Sequence, residues 1–119
     1  MNNKAYSLSD KHCAPCEGRI PPLTTDEYNK LLIETPELSV VDGIKIKRDF
    51  KFKDFKQALG FVNKVGELAE AEGHHPDISL HNWNKVLIAL TTHAIKGLSE
   101  NDFITAARID LILGERTPS

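Results

Sequence analysis

Three of the five histidines, His74, His75 and His81, fall within eight positions in "EGHHPDISLHNW", and His93 follows at the end of "TTH". Histidine has an unperturbed pKa near 6.5, so such a cluster can donate and accept protons at neutral pH. It can also ligate a metal, or cap a helix and fill a polar turn. A metal site finds little support in the spacing. Adjacent residues of an extended segment point to opposite faces, and no carboxylate–histidine spacing on a helix accompanies them. His81 reads as surface. Cys13 and Cys16 in "HCAPC" are the only cysteines. A CxxC can be half a zinc site or a redox pair. No second CxxC or HxxxH completes four ligands, and no strand precedes it as in a thioredoxin-like site. The pair reads as structural or incidental, with metal or redox use as the alternatives, and His12 beside it is unassigned.

Whether the histidines act together depends on the elements that carry them. "LTTDEYNKLLIETP" starts a helix, with Thr24 and Glu27 forming a capping box and Leu23 and Tyr28 a hydrophobic staple. Pro36 closes the segment. "SVVDG" and "IKIKRDFKF" read as two strands, and the "DG" between them signals a hairpin. In the second strand Ile44, Ile46, Phe50 and Phe52 alternate with charged residues, and only Arg48 interrupts the apolar side. That period predicts an antiparallel sheet covered on one face. Asp54 caps a second helix, with Gln57 at the reciprocal position. Its apolar stripe is read as Phe55, Ala58, Leu59, Val62, Val65, Leu68 and Ala69. Gly60 and Gly66 within it imply close approach to the sheet or to another subunit. Gly73 stands at the left-handed C-cap position, which delivers His74 and His75 to the entry of the next strand.

"DISLHNW" and "KVLIALTTH" then pair as an antiparallel hairpin, with Val86, Ile88 and Leu90 on one face and Leu87, Ala89, Thr91 and His93 on the other. Ser99 caps the last helix, with Asp102 in its first turn. The expected fold is α+β: a four-stranded antiparallel sheet with two long helices on one face (β-β-α-β-β-α), plus a short N-terminal helix. In such a hairpin the end of one strand meets the start of the other. His93 therefore becomes a neighbour of His74 and His75, which favours the proton-transfer reading.

Glu70, three residues, His74-His75-Pro76, six residues, Trp83, nine residues, His93, eight residues, Asp102: this pattern resembles the signature of the pterin-4a-carbinolamine dehydratases. The flanking "HNWNKVLIALTTH" and "GLSENDF" are similar to that family as well, and the element order agrees from about residue 23 to 113. The resemblance implies dehydration of a 4a-hydroxytetrahydropterin to quinonoid dihydropterin, in pterin recycling. It implies a small-molecule pterin as substrate, with no cofactor and no metal. His74, His75 and His93 would be catalytic, with His75 and His93 moving protons and His74 touching the leaving hydroxyl. Glu70, Trp83 and Asp102 would contact the substrate. Glu70 could instead orient a histidine, and the other two also have purely structural readings: Trp83 as filler at a strand end, Asp102 as a helix-start acid. Two other roles stay open. Some family members act as dimerisation partners of a homeodomain transcription factor, and the same chemistry could serve another pterin, as in molybdopterin metabolism.

The bulk composition sets limits on partners. The chain has 119 residues, 40% hydrophobic and 27% charged, with a formal net charge of −2. That suits one core, read as a polar leader over residues 1–22 and a single domain over 23–119. Interspersed acids and bases give no basic patch for nucleic acid or anionic membrane. No apolar run approaches the roughly 20 residues that cross a bilayer, and the first residues lack the apolar core of a signal peptide. A cytoplasmic protein is expected. Lys45, Lys47 and Lys51 wet part of the sheet's far face, while Leu87, Ala89 and Thr91 make the rest half-apolar, which predicts a homodimer or homotetramer.

Overall fold

The computed structural model describes residues 8–10, 13 and 20–116; His12 and Cys16 lie outside the described residues. The elements are α1 (Thr25–Leu32), β1 (Ser39–Val41), β2 (Lys45–Lys51), α2 (Phe55–Glu72), β3 (Asp77–His81), β4 (Lys85–Leu90) and α3 (Glu100–Arg116). The sheet is antiparallel in the order β1-β2-β4-β3. The expected α+β architecture is therefore present, with the short N-terminal helix in front of the two strand–strand–helix units.

Local chemistry accounts for the element ends. Both bonds of the Thr24–Glu27 capping box are made. The Asp54 carboxylate accepts from the Gln57 N–H at 2.9 Å. Asp42 (φ +55°) and Gly43 (φ +73°) turn the first hairpin, the double left-handed geometry that Asp-Gly suits. Gly73 ends α2 at φ +67°, where any other residue would meet the left-handed penalty.

The core lies between the helices and one face of the sheet. Ile46, Phe50, Val86, Ile88 and Leu90 point into it, as the strand periods predict, and meet Phe61, Val65, Phe103 and Ile109. Arg48, the one charge on that face, extends to α3 and pairs with Asp110, with its guanidinium 4.5 Å from the Phe50 ring centroid. Burial pushes the Asp110 carboxyl above its usual range, and Arg48 pulls against that shift.

Two expectations about α2 need correction. The buried stripe is Ala58, Phe61, Val65 and Ala69, whereas Phe55 and Leu59 are largely exposed. Two apolar rows run along this helix, and the fold buries the one centred on Phe61, whose ring packs on Phe50 and Phe52. Nor do Gly60 and Gly66 bring α2 close to the sheet, since a Cβ at either would meet nothing within 4 Å.

The tight glycine is Gly97, where a Cβ would lie 2.7 Å from Pro22 Cβ. Here the chain before α1 crosses the loop before α3, and the Leu23 N–H donates to the Leu98 carbonyl at 2.8 Å. Gly97→Ala is expected to cost about 1–3 kcal/mol, as overpacking does elsewhere. A urea midpoint equal to that of the parent chain would contradict this.

The segment read as a polar leader is not peripheral where it is described. Leu8, in a 3-10 turn, is only 1% exposed and belongs to the core. Polarity of the surrounding residues hid that anchor.

Candidate active site

The cleft opens where α2 ends, β3 begins and β4 runs out. Its volume is about 500 Å³, and Cys13, Glu72, Gly73, His74, His75, residues 91–94 and Asn101 line it. The convergence expected from strand arithmetic is therefore present: His74, His75 and His93 face one cavity. The β3–β4 register pairs Asp77 with Ala89. Continued two residues, it sets His75 across from Thr91.

One detail differs from the sequence reading. His93 does not end a strand; β4 stops at Leu90, and His93 opens a 3-10 turn, His93–Ile95. The Thr91 hydroxyl donates to the Ile44 carbonyl at 2.5 Å. The Thr92 N–H donates to the Gly97 carbonyl at 2.9 Å. These bonds draw the chain out of the sheet and close a small loop that holds His93 over the cleft.

Behind His74 stands Asp102, with 0% exposure. Its Oδ1 lies 2.6 Å from His74 Nε2. Its Oδ2 accepts from the Thr92 hydroxyl at 2.7 Å and from the Ser99 N–H at 3.0 Å. The Ser99 and Thr92 hydroxyls are 2.7 Å apart. Because the Thr92 proton goes to Asp102, Ser99 must donate to Thr92. A buried carboxylate at the first turn of α3, satisfied by three donors, fixes the His74 ring and favours a proton on Nε2. Nδ1 is then the His74 atom free to exchange a proton. Asp102 is not among the lining residues, so it reaches the cleft through the imidazole rather than by direct contact.

His75 is held more loosely. Its Nε2 is 3.0 Å from Glu70 Oε1, with side-chain exposures of 63% and 79%. Such an exposed pair steers a ring but adds little stability. Glu70 thus meets His75 at the cleft's edge and is not itself a lining residue.

Trp83 is not brought to the site. It lies in the β3–β4 turn, at the opposite end of the hairpin, with φ +58° and 61% exposure. Asn82 before it is also left-handed, at φ +47°. Two such residues in succession throw the indole outward, so neither pocket wall nor core filler describes it in this chain. His81, read as surface, is half-buried on β3 and away from the cleft.

Sequence reasoning missed Glu72, Cys13, Thr91, Thr92 and Asn101. The two threonines adjoin His93 and were within reach of the same strand argument. Among the described residues, no three of His, Cys, Asp or Glu gather as a metal site, and no helix is long and apolar enough to cross a membrane.

The sequence pattern of the family described as pterin 4 alpha carbinolamine dehydratase matches residues 21–112. A relative from Methylococcus capsulatus carrying the pterin-4-alpha-carbinolamine dehydratase name is 51% identical over 112 residues, 93% of this chain and 97% of its own. A second, from Rubrobacter xylanophilus, is 47% identical over 103 residues, 87% and 95% of the two chains. Among solved structures, a transcriptional coactivator/pterin dehydratase from Brucella melitensis superposes with a TM-score of 0.71 at 37% identity, covering 76% of this chain and 97% of that one. A pterin dehydratase-like RuBisCO assembly factor of the alpha-carboxysome superposes with a TM-score of 0.54 at 25% identity, covering 63% and 86%. With its fold and its sequence in agreement, the chain belongs to the pterin 4 alpha carbinolamine dehydratase family, a family of hydro-lyases.

Proposed function

We propose that the cleft dehydrates a 4a-hydroxytetrahydropterin to quinonoid dihydropterin by histidine acid–base catalysis, in pterin recycling. The observation that carries this reading is the ring of His74, braced by buried Asp102, sharing one cavity with His75 and His93. Dehydration asks for two proton movements. One imidazolium gives a proton to the 4a-hydroxyl, the C4a–O bond breaks, and water leaves. A second imidazole takes the N5 proton as the C4a=N5 double bond forms. Solvent then returns the proton from base to acid, so no electrons or cofactors are exchanged.

The roles divide by support. His75 and His93, both exposed at the cleft, can exchange protons with solvent and are the acid–base pair. His74, fixed from behind, holds the departing hydroxyl through Nδ1. Asp102 and Glu70 orient their histidines. The substrate is a small-molecule pterin, the expected compartment is the cytoplasm, and a homodimer or homotetramer remains the expected assembly. Of the structural relatives, one is a transcriptional coactivator/pterin dehydratase and the other a pterin dehydratase-like RuBisCO assembly factor. Here the intact histidine–aspartate arrangement favours chemistry.

The test is to generate the carbinolamine chemically and follow water loss by absorbance. General acid–base catalysis typically contributes about 10²–10⁴-fold, so the purified chain should outpace the buffer by at least about a hundredfold. A rate equal to the buffer's would end the reading.

A further inference from the structure

Part of the cleft wall comes from the N-terminal segment, outside the histidine pattern, and one buried carboxylate fastens it there. Glu72 is the last residue of α2, with a side chain only 6% exposed. Its Oε1 accepts from the Cys13 N–H at 2.8 Å. Its Oε2 lies 3.7 Å from Arg108 Nε on α3. Arg108 in turn donates from Nη1 to the Ser9 carbonyl at 3.2 Å. Glu72 and Arg108 thus grip the same segment at two points, while the Leu8 side chain sinks into the core. At the cleft end the Cys13 thiol sits 3.3 Å from Thr105 Oγ1 and 3.7 Å from the Asn101 carbonyl. Cys13 and Glu72 line the same cavity as the three histidines.

We propose that Glu72 is a positioning residue for this cleft: it pins the N-terminal segment against α3 so that Cys13 forms part of the wall on which the substrate lies. The inference rests on the reading of the cleft as a pterin site. The Glu72–Cys13 and Glu72–Arg108 contacts are distinct from the His74–Asp102 and His75–Glu70 contacts, so the pin can be tested apart from proton transfer. Loss of the pin enlarges the cleft and weakens ground-state and transition-state binding together. That signature is a raised KM with kcat little changed.

The test compares Glu72→Ala with Glu72→Gln in the full chain. The alanine removes the acceptor for the Cys13 N–H, whereas glutamine keeps a carbonyl oxygen for it. KM for the carbinolamine should rise about tenfold in Glu72→Ala with kcat within about twofold, and glutamine should restore most of the loss. A purely electrostatic role toward Arg108 would make the two variants equally poor, and an unchanged KM in folded Glu72→Ala would equally overturn the proposal.

A second readout needs no turnover. In a Cys16→Ser background, Cys13 is alkylated with N-ethylmaleimide and followed by peptide mass spectrometry. Burial pushes the Cys13 thiol above its ordinary range, so labelling of the pinned segment is slow. Releasing the segment with Glu72→Ala should speed it about tenfold, and a saturating dihydropterin should slow it at least fivefold with Glu72 intact. Labelling indifferent to both would sink the wall, including in the case where Glu72→Ala does not fold and only the protection arm can be read. A chain that fails to catalyse but shows Glu72-dependent labelling would overturn the dehydratase reading and leave the pin standing.

Discussion

Asp102→Ala is expected to lower kcat for carbinolamine dehydration about a hundredfold and to weaken the fold by about 2–4 kcal/mol. Both losses have one cause. The carboxylate, itself fully buried, accepts from the buried Thr92 hydroxyl and Ser99 N–H and holds His74 Nε2. Alanine leaves buried donors without acceptors and lets the His74 ring turn. Asp102→Asn keeps the shape but replaces one acceptor by an NH₂. Turned toward Thr92 and Ser99 it loses their bonds, and turned toward His74 it makes Nε2 the acceptor and forces the proton onto Nδ1. It should retain more stability than alanine, at about 1–2 kcal/mol of loss, yet recover little of the rate. Urea unfolding and the absorbance assay measure the two effects separately. An Asp102→Ala chain with parental kcat would show that the brace on His74 has no part in the chemistry.

His93→Ala and His75→Ala form the second case, with a large effect on rate and almost none on stability. Each should reduce kcat about 10²–10³-fold, the range that positioned acid–base groups contribute. Both side chains are exposed, so the unfolding midpoints should shift by no more than about 0.5 kcal/mol. The contrast with Asp102 is what makes the pair informative: one site should lose rate and stability together, the others rate alone. If either variant keeps most of the parental rate, the two-histidine proton exchange is wrong in that member. An additional loss of stability above about 1 kcal/mol would mean the residue also supports the loop that carries it.

Much of the fold was legible because the local signals agreed with one another. Thr24 with Glu27, Asp54 before α2 and Gly73 after it marked helix ends that the structure keeps. The alternation through Ile46, Phe50, Val86, Ile88 and Leu90 assigned one sheet face to the core. Where two patterns competed, the sequence was ambiguous. α2 carries an apolar row through Phe55, Leu59 and Val62 and another through Ala58, Phe61 and Val65, and only the sheet opposite decides between them. Arg48 looked like an exception until its partner appeared on α3, sixty-odd residues further on, where no local signal connects the two.

The candidate site divides in the same way. His74, His75 and His93 could be brought together on paper, because a hairpin relates distant residues by simple register. The 2.6 Å contact between His74 and Asp102 could not. It depends on how α3 packs against the end of α2, and Asp102 already had a sufficient role as a helix-start acid. Cys13 and Glu72 were hidden for another reason. The N-terminal segment has no periodicity, and among its described residues the attachment runs through Leu8 in the core, Cys13 packed against it, and polar bonds to Glu72 and Arg108.

The chain's sole tryptophan sits at the hairpin tip, far from the histidine cleft and largely open to solvent. Its emission in the isolated chain therefore reports on water at the tip, and unfolding should shift it little, making it a poor optical gauge of stability. The same placement turns it into a clean beacon for anything that docks on that end of the molecule: a blue shift on concentration or on adding another protein would register contact there without interference from catalysis.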